Sequence, residues 1–127
     1  MRAFICLAIL LLGSVGVPAQ APEVVTLKTG QEKVSRTGRV TIKFLELVED
    51  SRCPEDVNCV WAGVARIKIQ VRKNGRTAVF ELDTNQRNKP AVFQGHSIAL
   101  KDLNPRQSTT SKYSPSAYTA TLTISRR

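Results

Sequence analysis

The sequence predicts an all-β domain: a single antiparallel sandwich of the immunoglobulin-like kind with about six or seven strands, a small β-barrel being the alternative. Three observations carry this. Apolar residues recur at every second position, as in Ala65-Arg66-Ile67-Lys68-Ile69-Gln70-Val71-Arg72. That run breaks at Lys73-Asn74-Gly75 and resumes as Thr77-Ala78-Val79-Phe80-Glu81-Leu82, and Asn-Gly is a strong hairpin signal because both residues tolerate positive φ. Turn-forming residues punctuate the chain at short intervals, with no sustained helical stripe and no internal repeat.

The chain opens with a leader. Met1-Arg2 is a short positive region, Ala3 to Leu12 is apolar, and Gly13 to Ala21 holds small residues and a proline in the pattern of a signal-peptidase site. Both Val17-Pro18-Ala19 and Ala19-Gln20-Ala21 satisfy the small-x-small rule, but Pro22 is a poor residue just past a scissile bond, so cleavage is expected after Ala19. The apolar run is interrupted by Gly13, Ser14 and Gly16 and falls short of the roughly 20 residues a membrane span needs. Cys6 sits inside that run without a lipobox and leaves with it. Residues 1–19 therefore read as a cleaved leader and residues 20–127 as one domain. Removing the leader from the 127-residue chain leaves 108 residues, and losing Arg2 lowers the net charge from +9 to +8.

The elements follow in order. Glu23-Val24-Val25-Thr26-Leu27 reads as an edge strand closed by the turn Lys28-Thr29-Gly30. After Thr37-Gly38, Arg39-Val40-Thr41-Ile42-Lys43-Phe44 alternates cleanly, whereas Phe44-Leu45-Glu46-Leu47-Val48 loses the alternation, which indicates a bulge or a stretch covered on both faces. The hairpin on either side of Asn74-Gly75 comes next, then His96 to Leu100 and Tyr118 to Ile124. The expected core is Val40, Ile42, Phe44, Ile67, Ile69, Val71, Ala78, Phe80, Leu82, Ile98, Leu100, Ala120, Leu122 and Ile124. Asn104 to Ser116, rich in Ser, Thr and Lys, reads as a flexible loop or an edge covering.

The segment from Asp50 to Gly63 is the densest in information, with two cysteines, a proline, three carboxylates and the only tryptophan. Export places Cys53 and Cys59 where oxidation is permitted, and the residues between them are enough to let them meet, so a disulfide is expected. A redox pair would show Cys-x-x-Cys spacing at a helix start, which is absent. Trp61 follows Cys59 closely and is expected to pack on the disulfide as part of the core, the alternative being a ligand platform in a candidate binding loop with Asp50, Arg52, Glu55, Asp56 and Asn58. Asp50, Glu55, Asp56 and Asn58 supply hard oxygens of the kind calcium takes, but EF-hand spacing is missing and Arg52 lies among them. The favoured reading has Asp50 and Arg52 bracing the loop by a bidentate pair while Glu55, Asp56 and Asn58 make turn and capping bonds.

The run Glu49-Asp50-Ser51-Arg52-Cys53-Pro54, then Val57-x-Cys59-Val60-Trp61-Ala62-Gly63, an alternating strand and a late Leu103-x-Pro105, resembles a group of small exported bacterial proteins of unassigned function. The likeness extends from about Leu27 to the end, and its specific part is the cysteine loop. It implies a periplasmic or secreted single β-domain. The stretch after Pro105 is longer and more basic than in that group.

No catalytic set is legible. His96 is the only histidine, and no serine lies in a nucleophile-elbow setting, so His96 reads as a surface or hairpin-flank residue. With Cys53 and Cys59 oxidised, His96 alone remains for zinc, and the single methionine is the initiator, which leaves copper without a thioether; no metal or cofactor is expected. The charge pattern is the better lead. Arg66, Lys68 and Arg72 project from the face opposite Ile67, Ile69 and Val71, and Arg39 and Lys43 face away from Val40 and Ile42. If the two strands are neighbours, these cations share a solvent face able to attract an anionic polymer or an acidic envelope protein. Nucleic acid is disfavoured by compartment and by the lack of interleaved aromatics.

The expected function is an exported envelope binding or interaction module engaging an anionic partner through the basic face, the disulfide loop, or both. The alternative is a structural or inhibitor-like protein whose Cys53–Cys59 loop inserts into another protein's cleft. A hydrolase built on Ser, Asp and His96 comes third. Reducing the disulfide, or replacing Cys59 with Ser, should remove about 2 kcal/mol and lower the melting temperature by roughly 8–16 °C; an unchanged melting curve would mean that the pair is not bonded.

Overall fold

The computed structural model describes residues 21–85 and 90–127 together with Gly13, Ser14 and Gly16, so the expected cleavage site at Ala19 and most of the leader lie outside the described residues. Eight strands run in the order β1 (Glu23–Lys28), β2 (Glu32–Val34), β3 (Thr41–Asp50), β4 (Ala65–Lys73), β5 (Arg76–Asp83), β6 (Ala91–Phe93), β7 (His96–Asn104) and β8 (Thr119–Arg126), with a single 3-10 turn at Pro115–Ala117. They form two antiparallel four-stranded sheets, β1-β8-β7-β6 and β2-β3-β4-β5. Neither sheet pairs with the other at its edges, so the fold is an open sandwich and not a barrel. Its connectivity is two meanders joined by hairpins, with β1 returning beside β8, where immunoglobulin domains use a Greek key. No helix among the described residues is long and apolar enough to cross a membrane.

Alternation does its expected work in β4, where Ala65, Ile67, Ile69 and Val71 are fully buried between the sheets while Arg66, Lys68 and Arg72 point outward. The Asn74-Gly75 turn takes positive φ at both residues, which sets the β4–β5 register at Lys73 opposite Arg76. In β3 the alternation fails for the reason the sequence suggests: the register against β4 shifts between Phe44 and Glu46 and again between Leu47 and Glu49. The two bulges bend the strand and carry it beyond the sheet.

Most expected core positions are buried; Ala78 and Phe80 are only partly so, because β5 is an edge strand and its inner face lies at the rim. Phe80 meets Phe93 edge to face there, with ring centroids 6.3 Å apart. Val25, Leu27, Ala65, Ala91, Leu103 and Tyr118 complete the core.

His96 departs from expectation. It flanks the β6–β7 hairpin but is buried, its Nδ1 lying 3.0 Å from the Gln94 carbonyl and its Nε2 without a partner among the described residues. The ring fits only because Gly38 has no side chain: a Cβ there would sit 2.0 Å from Nε2, and the residue's φ of +77° is one that glycine adopts freely. The turn holding Gly38 hangs from Glu23, whose carboxylate accepts bonds from the Ser35 hydroxyl (2.5 Å) and the amides of Arg36 (3.0 Å) and Thr37 (2.9 Å). Burial acts to raise the Glu23 pKa, but these donors outweigh it and hold the carboxyl at about 2 against an ordinary 4.5. A folded pKa below the unfolded one gives stability that is present above pH 4.5 and lost as pH falls toward about 2. Chemical denaturation of the native protein and Glu23→Gln should therefore show a constant stability gap above pH 4.5 that closes on acidification; a gap independent of pH would remove the carboxylate from this role.

Candidate functional site

β3 and β4 project past the sandwich as a long hairpin connection, and each contact within it has a local cause. Ser51 and Val64 bond three times, Ser51 N to Val64 O at 2.8 Å, Ser51 Oγ to Val64 O at 2.9 Å and Val64 N to Ser51 Oγ at 3.1 Å, and Cys53 N donates to Ala62 O at 3.1 Å. Such closeness requires Gly63, because a Cβ there would lie 1.8 Å from the Ser51 carbonyl oxygen. Cys53 and Cys59 are joined by a disulfide that closes the distal part of the loop.

At the loop's foot, Asp50 and Arg52 form the expected bidentate pair: Nε donates to Oδ1 at 2.9 Å and Nη2 to Oδ2 at 3.1 Å. Both side chains are nearly out of solvent, at 10% and 4% exposure for Arg52 and Asp50. The guanidinium's terminal nitrogens also reach across to the backbone at the end of β7 and just past it, Nη1 to Leu103 O at 2.7 Å and Nη2 to Pro105 O at 3.0 Å. The Tyr118 hydroxyl donates to Asp50 Oδ2 at 2.7 Å and accepts from Gln107 Nε2 at 2.8 Å. Burial pushes the Asp50 pKa up, but bonds from Arg52 and Tyr118 outweigh it and hold the carboxyl below its usual 3.8; burial and the Asp50 carboxylate raise the Tyr118 phenol.

The 105–114 segment is fastened to this loop. Glu55 N donates to Gln107 O at 3.0 Å, and Asp56 accepts from both the amide (3.0 Å) and the hydroxyl of Thr109. Of the residues expected to make turn and capping bonds, Asp56 instead bonds across to Thr109, and the side chains of Glu55 and Asn58 are exposed and make no bond among the described residues. No group of three or more His, Cys, Asp or Glu side chains converges as metal ligands do, among the described residues.

Trp61 corrects the expectation of a core indole. It is 82% exposed, and Val60 beside it is 94% exposed. Val57 on the same loop is 43% exposed, whereas Tyr118 and Leu103, which bond to the loop's foot at Asp50 and Arg52, belong to the core. At the foot of the same loop a shallow depression of about 290 Å³ lies between Ala62 and Gly63 on one side and Lys101 and Arg106 on the other.

The basic face is assembled differently from its sequence outline. β3 and β4 are neighbours, and Lys43, Arg66, Lys68 and Arg72 share their outer face, but Arg39 sits in the preceding turn with φ of +52°. The β3 bulges bring Glu46 and Glu49 opposite Lys68 and Arg66, giving pairs at 3.3 Å and 3.0 Å. Arg66 also faces Glu81 at 3.9 Å, and Arg72 pairs with Glu32 at 2.9 Å. The face is a ladder of alternating signs, in which Lys43 makes no ion pair among the described residues. Sequence reasoning missed these carboxylates because the bulges shift their phase, and it missed Tyr118, Gln107 and Thr109 because their partners lie more than fifty residues away.

Removing one partner of a buried ion pair leaves the other charge uncompensated, so Arg52→Ala should cost about 3–5 kcal/mol. Tyr118→Phe should cost about 1–1.5 kcal/mol, the net worth of its hydroxyl bonds. Urea titrations of both variants check this, and an Arg52→Ala cost below that of Tyr118→Phe would overturn the assignment of Arg52 as the central brace. No family model matches the chain, and no curated protein and no solved structure matches it either.

Proposed function

We propose that the protein is an exported interaction module that engages a protein partner through the apolar tip formed by Val57, Val60 and Trp61. The observation that carries this reading is the exposure of Val60 and Trp61, 94% and 82%, on a loop closed by a disulfide and braced by Asp50, Arg52 and Tyr118. An indole held in water on a mobile loop would fold back onto nearby apolar surface; a tip held outward is instead ready to be buried by something else. Tryptophan is the residue most enriched among interface anchors, and a stapled loop loses little conformational freedom on binding. The positively charged start of the chain, its apolar run and the small residues after it support export, as does a disulfide.

The anionic-partner reading receives less support, since Arg66, Lys68 and Arg72 each face a carboxylate. The net charge of +9 still favours fast encounter with acidic partners at low salt. Replacing Trp61 with Ala is expected to change stability by no more than about 0.5 kcal/mol, because the side chain is exposed, yet to abolish partner capture from the producing cell's envelope. Capture with native, Trp61→Ala and Cys53→Ser baits at low and high salt decides the matter: a partner retained in salt and lost with Trp61→Ala supports the tip. A partner that Trp61→Ala retains and salt removes would instead assign binding to the charged face.

A further inference from the structure

Independently of the tip, we infer that the cleft between β1 and β2 is a docking site for an extended acidic segment of a partner protein, which adds as a strand along the free edge of β1. β1 and β2 are edge strands of opposite sheets and flank a cleft of about 480 Å³ on the same side of the sandwich. Hydrogen bonds at the ends of the strands fix which peptide groups face it. Lys28 N donates to Gln31 Oε1 (2.9 Å) and Lys28 O accepts from Gln31 N (2.8 Å), so the Lys28 peptide groups point away from β8, whereas Thr29 N donates to Tyr118 O on the β8 side (3.1 Å). With a period of two, the amides and carbonyls of Thr26 and Val24 point the same way as those of Lys28, toward the open edge. On β2, bonds from Phe44 N to Gln31 O (3.1 Å) and from Ser35 N to Val40 O (2.7 Å) turn Gln31, Lys33 and Ser35 toward β3 and leave the peptide groups of Glu32 and Val34 facing out.

The lysines and the three-residue length of β2 blunt this edge toward ordinary strands, and the same positive charge suits an acidic one. Val24 and Val34 are 52% and 63% exposed on either side of the cleft. The cations lining it are Lys33 and Arg36, with Lys28 at the end of β1, none in an ion pair among the described residues. Lys33 shares a face with the buried Ile42 across the β2–β3 pairing, so it overhangs the mouth of the cleft. The one carboxylate there, Glu23, is engaged by Ser35, Arg36 and Thr37 within the turn. Free main-chain donors and acceptors, two apolar contacts and an excess of positive charge fit an extended strand of about six residues that alternates apolar and acidic side chains, the recognition mode of strand addition.

The test is fluorescence anisotropy with a labelled peptide of alternating Val and Glu, beside the same peptide with Lys in place of Glu and one N-methylated at alternate amides. The native protein should bind the acidic peptide saturably. Lys33→Glu with Arg36→Glu, and N-methylation of the peptide, should each weaken binding by about tenfold or more. Thr26→Pro, which removes one outward amide, should also weaken it, and thermal melting of each variant separates lost binding from lost fold. Trp61→Ala should bind the peptide as the native protein does. Absence of saturable binding, equal binding of the Lys peptide, or indifference to both charge reversal and N-methylation would overturn the proposal. A dimer of the free protein that Thr26→Pro dissolves would overturn it in favour of a second copy as the occupant.

Discussion

The buried pairing of Asp50 with Arg52 is the constraint on which the upper half of the molecule depends. Two charges taken out of water impose a large desolvation penalty, and the pair is tolerable because its geometry is bidentate and further acceptors meet both terminal nitrogens of the guanidinium. Arg52 meets the carboxylate with two nitrogens and the carbonyls of Leu103 and Pro105 with its terminal ones. Asp50 takes a further bond from Tyr118. Three stretches of chain distant in sequence, the end of β3, the exit from β7 and the entry to β8, are therefore held to one another by a single satisfied network. Without it the disulfide would close a ring but not orient it.

The bulges in β3 serve that constraint. A strand that kept strict alternation from Phe44 would run flat along the sheet; two shifts of register increase its twist and deliver Asp50 beneath the stapled loop. The same shifts place Glu46 and Glu49 against the cations of β4. Exposed pairs of this kind add little stability each, but together they fix the sign pattern of the outer face and keep it from acting as one cationic field. The molecule's positive excess is then left to residues away from the ladder, among them Lys28, Lys33 and Arg36 around the cleft.

How much of this was legible follows from what each signal measures. Alternation reports a strand half-buried on one face, so β4, β8 and the first part of β3 could be read directly. β2 and β6 could not: each has three residues, and β2 is exposed throughout, so neither carries a pattern. The disulfide and the Asp50–Arg52 brace were readable because their partners are near in sequence. The position of Trp61 was not, because an indole beside a disulfide packs inward or outward according to the path of the loop, which local sequence does not set. His96 was misjudged as a surface residue for a related reason: its burial depends on a glycine at position 38 whose meaning appears only once the two meet.

The pairing of β1 with β8 has a kinetic side. The first strand of the domain finds its partner in the last, from Glu23 opposite Ile124 to Lys28 opposite Thr119, so one sheet is completed only by joining the two ends of the chain. Topologies dominated by such distant pairings fold slowly, because loop-closure entropy must be overcome before the contact is gained. A chain threaded from its N-terminus through a narrow channel would carry β1 unpaired until the final residues had passed, and would stay extended while in transit. In such a chain the β1 edge of its sheet would stay incomplete until β8 had followed, even where the β2-β3-β4-β5 sheet had already formed.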